Sequence, residues 1–468
     1  MREADVLFLS VTELAAKMKS RSLSPVEVAE FYLERGESLG PRYNAYATLT
    51  ADRARSAARK AESEIAQGHY RGPLHGIPYA AKDLLAVRDY PTTWGAAPFA
   101  NQQFDYDAAV IEKLDHAGAV LIGKSAMIEL AGGMGYRFAS ASLTGPAKNP
   151  WNTNCWTCGS SSGSGAIVAA GLAPFAIGTE TWGSILCPAS FCGVTGLRPT
   201  FGRVSRWGAM AVAYSMDKIG PLARTAEDAA LVLEAIAGPD PRDRSSLPPG
   251  QAEFDAAAGA PAKPLKIGRL TNAWQKPAPE IAAAFDAALH VLDRQGCNVE
   301  DVELPQGPWE DAGGVMIAVE CASAFEDLIE SGDVAKLTDP LGQINGYAYK
   351  QISASDYLQA LRVREILQEK IDTLFDKFDV VAAAGQPVTA TTLDTNLETD
   401  LSFADPLGGI GNLCGLPAIG VPCGISSARM PMGIQFLARV RNDAAVVAAA
   451  RLFQRHTDWH TRRPPISQ

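Results

Sequence analysis

The chain is 468 residues long, 47% hydrophobic and 20% charged, with 52 acidic against 42 basic side chains and a formal net charge of −10. That length buries a large core, an acidic chain without a basic block does not suit a nucleic-acid binder, and no stretch is apolar for long enough to span a membrane. The eight scattered cysteines are expected to be reduced packing thiols of a cytoplasmic protein, and Met1-Arg2-Glu3-Ala4 leads into no apolar segment of the secretory kind.

In chain order, the first predicted element is helical over 11–32, with Ser24-Pro25 as a helix start and Val26, Val28, Ala29 and Tyr32 on an apolar face. A second helix is predicted over 51–67. Short apolar runs at 119–122, 174–177, 266–270 and 380–383 read as strands and alternate with helical stretches, the pattern of an α/β protein. Residues 238–264 are rich in Pro, Gly, Ala and Asp and resemble a linker. Because a strand resumes at 265, they read as a surface linker or insertion rather than a domain boundary. Residues 311–379 read mostly as helices, and 408–424 as a glycine-rich loop followed by a strand.

The chemistry concentrates between Cys158 and Pro188, where two clusters of Ser, Gly and Thr flank a short apolar run. The second cluster, Gly178-Thr179-Glu180-Thr181-Trp182-Gly183-Ser184, ends in a serine preceded by N–H groups that a tight loop can aim at one point. Acyl transfer needs such a hydroxyl beside such donors. It also needs a base. His69, His75, His116, His290, His456 and His460 sit mostly in polar or helical surroundings, and the other candidate is Lys82, delivered by an apolar run beside turn residues. Three further matches carry less. Residues 118–125 fit the P-loop expression, but their apolar middle reads as a buried strand. Residues 159–163 fit the nucleophile elbow with Ser161 as attacker, but the preceding 149–156 reads as turn. Cys155 and Cys158 have zinc or redox spacing without a second ligand pair, so they read as packing thiols.

Six segments carry a resemblance that covers nearly the full length: GPLHGIPYAAKDL at 72–84, AVLIGKSAMIELA at 119–131, the Ser-Gly core, FCGVTGLRPTFGRVSRWG at 191–208, SMDKIGPLARTAEDAALVLEAIAG at 215–238 and GLPAIGVPCG at 415–424. In these the chain resembles the amidase signature family of serine hydrolases. The resemblance implies an α/β fold with a single large mixed β-sheet flanked by α-helices on both faces. One domain is then expected over 1–468, comprising an N-terminal helical segment 1–68, a signature core 69–240, a surface linker or insertion 241–264 and a remainder 265–468. Carried over, the family's Ser-cisSer-Lys triad falls on Ser184 as nucleophile, Ser160 as bridging serine in a cis peptide and Lys82 as base. The oxyanion-hole amides fall on Thr181, Trp182, Gly183 and Ser184. For Lys82 to accept a proton near neutrality its pKa must drop from about 10.4 to about 7 or 8, which burial can supply. Met127, Ile128, Glu129, Trp182 and Ile344 are the expected substrate-lining residues.

The family's usual Gly-Thr-Asp-x-Gly-Gly-Ser-Ile-Arg run differs here at Glu180, Trp182 and Leu186, and Cys158 and Ser162 stand where glycines are usual. Losing the short acid and the arginine together suggests that a structural ion pair has been replaced. A tryptophan rarely takes positive φ, so the oxyanion loop is expected to be shaped differently. The implied activity is cleavage of the C–N bond of a neutral, hydrophobic or aryl amide or carbamate through a Ser184 acyl-enzyme, with ester cleavage as a side activity. No cofactor, metal, nucleic acid or membrane is called for, and the chain is expected to be a monomer or homodimer acting on a small molecule. The family also supplies an alternative, the A subunit of a glutamine-dependent tRNA amidotransferase. Against it, residues 315–344 lack the Ala-Arg-Tyr-Asp-Gly-type segment associated with that protein.

Overall fold

Ser10 caps the first helix, Val11–Lys19, in a reciprocal box with Glu13, and Ser24 caps the second, Pro25–Tyr43, whose Pro25 enters at the first turn. The single helical stretch expected over 11–32 is thus two helices broken at 20–24. The computed structural model describes residues 6–259, 264–273, 275–400 and 405–465. Met1 to Ala4 and positions 260–263 of the expected insertion lie outside the described residues.

The strands, in chain order, are β1 Tyr46–Leu49, β2 Pro78–Lys82, β3 Val120–Ser125, β4 Lys148–Asn149, β5 Asn152–Trp156, β6 Phe175–Glu180 and β7 Thr195–Arg198, followed by β8 Lys218–Ala223, β9 Lys266–Leu270, β10 Asn298–Val302, β11 Val380–Ala384, β12 Ala418–Ile425 and β13 Pro431–Leu437. Eleven form one mixed sheet in the order β1-β3-β2-β6-β8-β7-β12-β13-β11-β9-β10, and β4 and β5 pair separately. The segment before Ser161, expected to be a turn, therefore contains this small hairpin. In β11, Val380, Ala382 and Ala384 enter the main core while Val381 and Ala383 enter a second cluster. Alternation of period two means that both faces are covered.

The helix Ala51–Ala66 lies where expected. Four helices fill most of 309–374, Trp309–Ala324, Glu326–Glu330, Pro340–Tyr349 and Ala354–Leu374. Residues 408–413, expected as loop, instead form the helix Gly408–Leu413 before β12. A run of glycines carries weak helix propensity, and tertiary packing decides its state. The short helix Ser162–Ala169 is buried throughout, and a Cβ on its Gly163 would stand 2.4 Å from the Ala45 carbonyl. Small residues let this helix lie directly on the sheet, and they bring Ser160, just ahead of it, to the strand ends. Among the described residues no helix is long and apolar enough to cross a membrane.

Candidate active site

Strands β2 and β6 run parallel, with Ala81 opposite Ile177. Lys82, the last residue of β2, therefore arrives beside Thr179 at the carboxyl ends of the strands, where open α/β sheets place their ligands. Its Nζ lies 2.8 Å from Ser160 Oγ, 2.9 Å from Thr179 Oγ1 and 3.4 Å from the Thr179 carbonyl. The side chain is fully buried, and burial lowers its pKa to about 7 against the opposing pull of Asp217 and Glu180. Asp83 next door is neutralised by Lys124 Nζ at 2.9 Å. Lys124 is thereby spent inside the core, and the 118–125 segment is strand rather than phosphate loop.

The Gly159-Ser160 peptide is cis. A Cβ at Gly159 would stand 2.7 Å from Ile128 Cγ1 and 3.0 Å from Trp156 Cζ2, so a larger residue does not fit. Cys158 holds a left-handed φ of 62° in the position where the resemblance expects glycine. It is also disulfide-bonded to Cys187, 29 positions later, whereas the other six cysteines are free and buried. The expectation of eight reduced thiols is corrected accordingly. Nothing in the spacing marked the pair, because Cys158 lies on the loop before Ser160 and Cys187 at the start of the helix Leu186–Cys192, which only the tertiary fold brings side by side. Peptide mapping of the unreduced protein should recover a Cys158–Cys187 cross-linked peptide and six alkylated cysteines, and full labelling of eight would remove the bridge.

Ser161 serves the architecture. Its N–H donates to the Ser184 carbonyl at 3.3 Å, while its hydroxyl donates to the Thr179 carbonyl at 3.1 Å and accepts from the Thr179 N–H at 3.2 Å. These bonds tie the Ser160 loop to the Ser184 loop, and they take up the hydroxyl that the elbow reading required as attacker.

Ser184 is 8% exposed and borders a cavity of about 500 Å³. Among the described residues its hydroxyl makes no hydrogen bond, so the contact expected between Ser160 and Ser184 is not formed here. The Ile185 and Leu186 N–H groups donate to Glu180 Oε2 at 2.8 and 3.0 Å. Those of Thr181, Trp182, Gly183 and Ser184 donate to no protein acceptor among the described residues and remain available for an oxyanion. The positive φ in this loop, 79°, belongs to Gly183 and not to Trp182. Tryptophan is therefore accommodated without a strained backbone.

Glu180, where the resemblance usually has aspartate, keeps a buried counter-charge. Glu180 Oε1 accepts from Arg198 Nη1 at 2.7 Å and from Asn412 Nδ2 at 2.9 Å, all within the core. Burial pushes the Glu180 carboxyl up, but the Arg198 charge and these hydrogen bonds outweigh it and hold the pKa at about 2. The arginine comes from β7, and Leu186 packs into the second core cluster instead.

Of the five expected lining residues, Trp182 borders the cavity. Its indole lies in a slot between two helices: a Cβ at Gly313 would stand 2.2 Å from Cζ3, and one at Gly409 2.8 Å from Cζ2. The other four are placed elsewhere. Met127 is packed in the main core and Ile128 in a third cluster. Glu129 is buried and accepts the Thr338 and Asp339 N–H groups, each at 2.9 Å. Ile344 is 60% exposed on the surface. The cavity walls come instead from Tyr136, Val212, Ile317, Leu341 and Tyr349, with Glu310 and Glu398 among them. Withdrawal from water and the neighbouring Asp405 and Asp311 push the Glu310 carboxyl up to about 7. These walls carry no motif, although a Gly313-Gly314 pair inside a helical stretch was a readable sign of close contact. None of the six histidines borders the cavity, and no group of metal-ligating side chains is assembled among the described residues.

A family model described as Amidase matches residues 27–447. The glutamyl-tRNA(Gln) amidotransferase A subunit of Methylococcus capsulatus is 36% identical over 487 aligned positions, covering 97% of this chain and 98% of the relative. Among solved structures, the peptide amidase of Stenotrophomonas maltophilia superposes with a TM-score of 0.86 at 30% identity, covering 98% of both chains. A bacterial aryl acylamidase gives 0.86 at 26%, covering 97% of this chain and 98% of its own. The glutamyl-tRNA(Gln) amidotransferase A subunit of Thermotoga maritima gives 0.78 at 26%, covering 97% and 95%.

Proposed function

The chain belongs to the amidase signature family, and we propose that it is a serine hydrolase cleaving the C–N bond of a neutral, hydrophobic or aryl amide or carbamate. One observation carries this reading: a fully buried amine with its pKa lowered to about 7 lies 2.8 Å from Ser160, on the loop tied to Ser184. Neutral Lys82 takes the Ser160 proton as Ser160 takes that of Ser184, and Ser184 Oγ attacks the carbonyl carbon. The contact between the two serines closes as substrate binds, since catalytic hydrogen bonds tighten in the Michaelis complex. The developing oxyanion is received by the N–H groups of Thr181 to Ser184. The proton then returns through Ser160 to the leaving nitrogen, the C–N bond breaks and an amine departs. Water, activated by the same relay, releases the acid and restores Ser184. A carbamate cleaved at C–N follows the same course, losing the amine and leaving an alkoxycarbonyl (carbonate) ester on Ser184 that water releases, and an ester follows it with an alcohol leaving group.

The cavity favours a neutral acyl or aryl body. Trp182, Val212, Ile317 and Leu341 are apolar, and Glu310 near 7 leaves the wall less negative than its composition implies. A screen of purified protein against anilides, aliphatic amides and aryl carbamates, with Ser184→Ala as control, tests the reading. Turnover that survives Ser184→Ala refutes it.

A second reading is favoured by the amidotransferase relative at 36% identity over 97% of the chain. Glutaminase activity that appears only with two partner proteins would establish it in place of the first.

The slot around Trp182 gives a separate expectation. Gly313→Ala adds helix propensity of about 1 kcal/mol, yet its Cβ meets the indole at 2.2 Å. The ring must move into the cavity, so kcat/KM for a bulky anilide should fall by about tenfold relative to acetamide, a difference of about 1.4 kcal/mol. Unchanged selectivity would remove Trp182 from the specificity wall.

A further inference from the structure

A second cavity of about 480 Å³ lies behind the triad. It shares Thr181 and Val212 with the substrate cavity, and Thr179, which holds the Lys82 amine, stands on its wall. Leu84, Met210 and Ile219 form a buried apolar base, while Tyr214, Arg242 and Arg244 stand at an exposed mouth. We propose that this cavity binds a small monocarboxylate with an apolar body.

The acids of this cavity are already engaged. Asp217 accepts from Thr181 Oγ1 at 2.5 Å, Val212 N–H at 2.8 Å and the Ala213 N–H. Asp243 accepts from the Arg206 N–H at 2.8 Å and from Ser245. The cations are less fully used. Lys218 is 2% exposed, and among the described residues its amine donates only to the Met216 carbonyl. Arg206 donates through Nη1 to the Tyr214 carbonyl and through Nη2 to Ser245, but among the described residues its buried Nε has no hydrogen-bond acceptor and stands 3.7 Å from Asp243. Arg244 at the mouth has no carboxylate partner among the described residues. Arg242 is paired with Asp240 and Glu112 and lies 3.8 Å over the Trp207 ring, so it frames the entrance rather than offering a free charge.

Burial and the Arg198 guanidinium push the Lys218 amine well below its ordinary pKa, with Arg364 adding to the push and Glu180 and Asp217 opposing it. An anion set against that amine favours the ammonium and gains a charge-assisted hydrogen bond in a water-poor site. The apolar base rewards a hydrocarbon body, whereas a doubly charged inorganic ion would leave that surface uncovered. The inference does not depend on which amide the protein cleaves.

Calorimetric titration with benzoate tests the site, using the wild-type chain, Arg244→Ala, Lys218→Met and Trp182→Ala. Benzoate affinity is expected to fall about tenfold or more in the first two variants and to stay within about twofold in Trp182→Ala, with inorganic phosphate binding at least about tenfold more weakly. Arg244→Ala lies at the surface and keeps the test valid if Lys218→Met does not fold. Three outcomes would overturn the site: no benzoate binding up to roughly 10 mM, phosphate binding as tightly as benzoate, or affinity lost in Trp182→Ala while Arg244→Ala is unaffected.

Discussion

Lys82→Ala is expected to lower kcat/KM on an anilide by about 10³- to 10⁴-fold and on a nitrophenyl ester by only about 10²-fold, within the range general acid–base catalysis supplies. The difference arises at the leaving group. An anilide nitrogen must be protonated before it departs, whereas nitrophenolate leaves unaided. In the proposed mechanism the lysine amine is the terminal proton store, reached through Ser160 at 2.8 Å, and no histidine borders the cavity to replace it. The same group sets the pH dependence. Lys82 acts as base only when neutral, so the rate should fall as pH drops through about 7, one decade per unit below it. Equal losses on the two substrates, or a rate independent of pH down to 5, would exclude Lys82 from proton transfer.

Glu180→Gln should cost about 3–5 kcal/mol of stability, since it leaves the Arg198 guanidinium buried without a counter-charge. Glutamine nearly preserves the shape, so the loss reports charge rather than packing. Urea unfolding measures it, and a loss under about 1 kcal/mol would contradict the account. Replacing both partners, Glu180→Leu with Arg198→Met, should recover most of the loss, because it removes the uncompensated charge. The sign of the pH effect follows from the direction of the shift. The folded carboxyl is held at about 2, below its ordinary 4.5. Its contribution is therefore complete above 4.5 and disappears as pH falls from 4.5 towards 2. Activity should fall with stability here, since Glu180 also holds the Ile185 and Leu186 N–H groups that shape the Ser184 loop.

Much of this protein is determined locally and was legible in the chain. The Ser24-Pro25 helix start and the apolar runs of β3, β6, β9 and β11 depend on residue type and spacing, and the resemblance carried by separate motifs pointed to Lys82, Ser160 and Ser184. Residue type and spacing are short-range properties. The cavity walls are another matter. Met127 and Ile128 share an apolar character with Val212 and Ile317, and hydrophobicity alone does not say whether a side chain faces core or cavity. Glu180 reads as a departure from a motif, and only the pairing of β7 with β8 and β12 brings Arg198 within 2.7 Å to restore its counter-charge. Cys158 and Cys187, likewise, become partners only when the Ser160 loop meets the helix that follows Ser184. The sequence by itself thus determined many of the elements, because each depends on neighbours along the chain, and its motifs pointed to the candidate groups Lys82, Ser160 and Ser184. The tertiary structure decided which charges pair, which thiols join and which apolar residues line the cavity, because those depend on contacts between segments far apart in the chain, 232 residues in the case of Glu180 and Asn412.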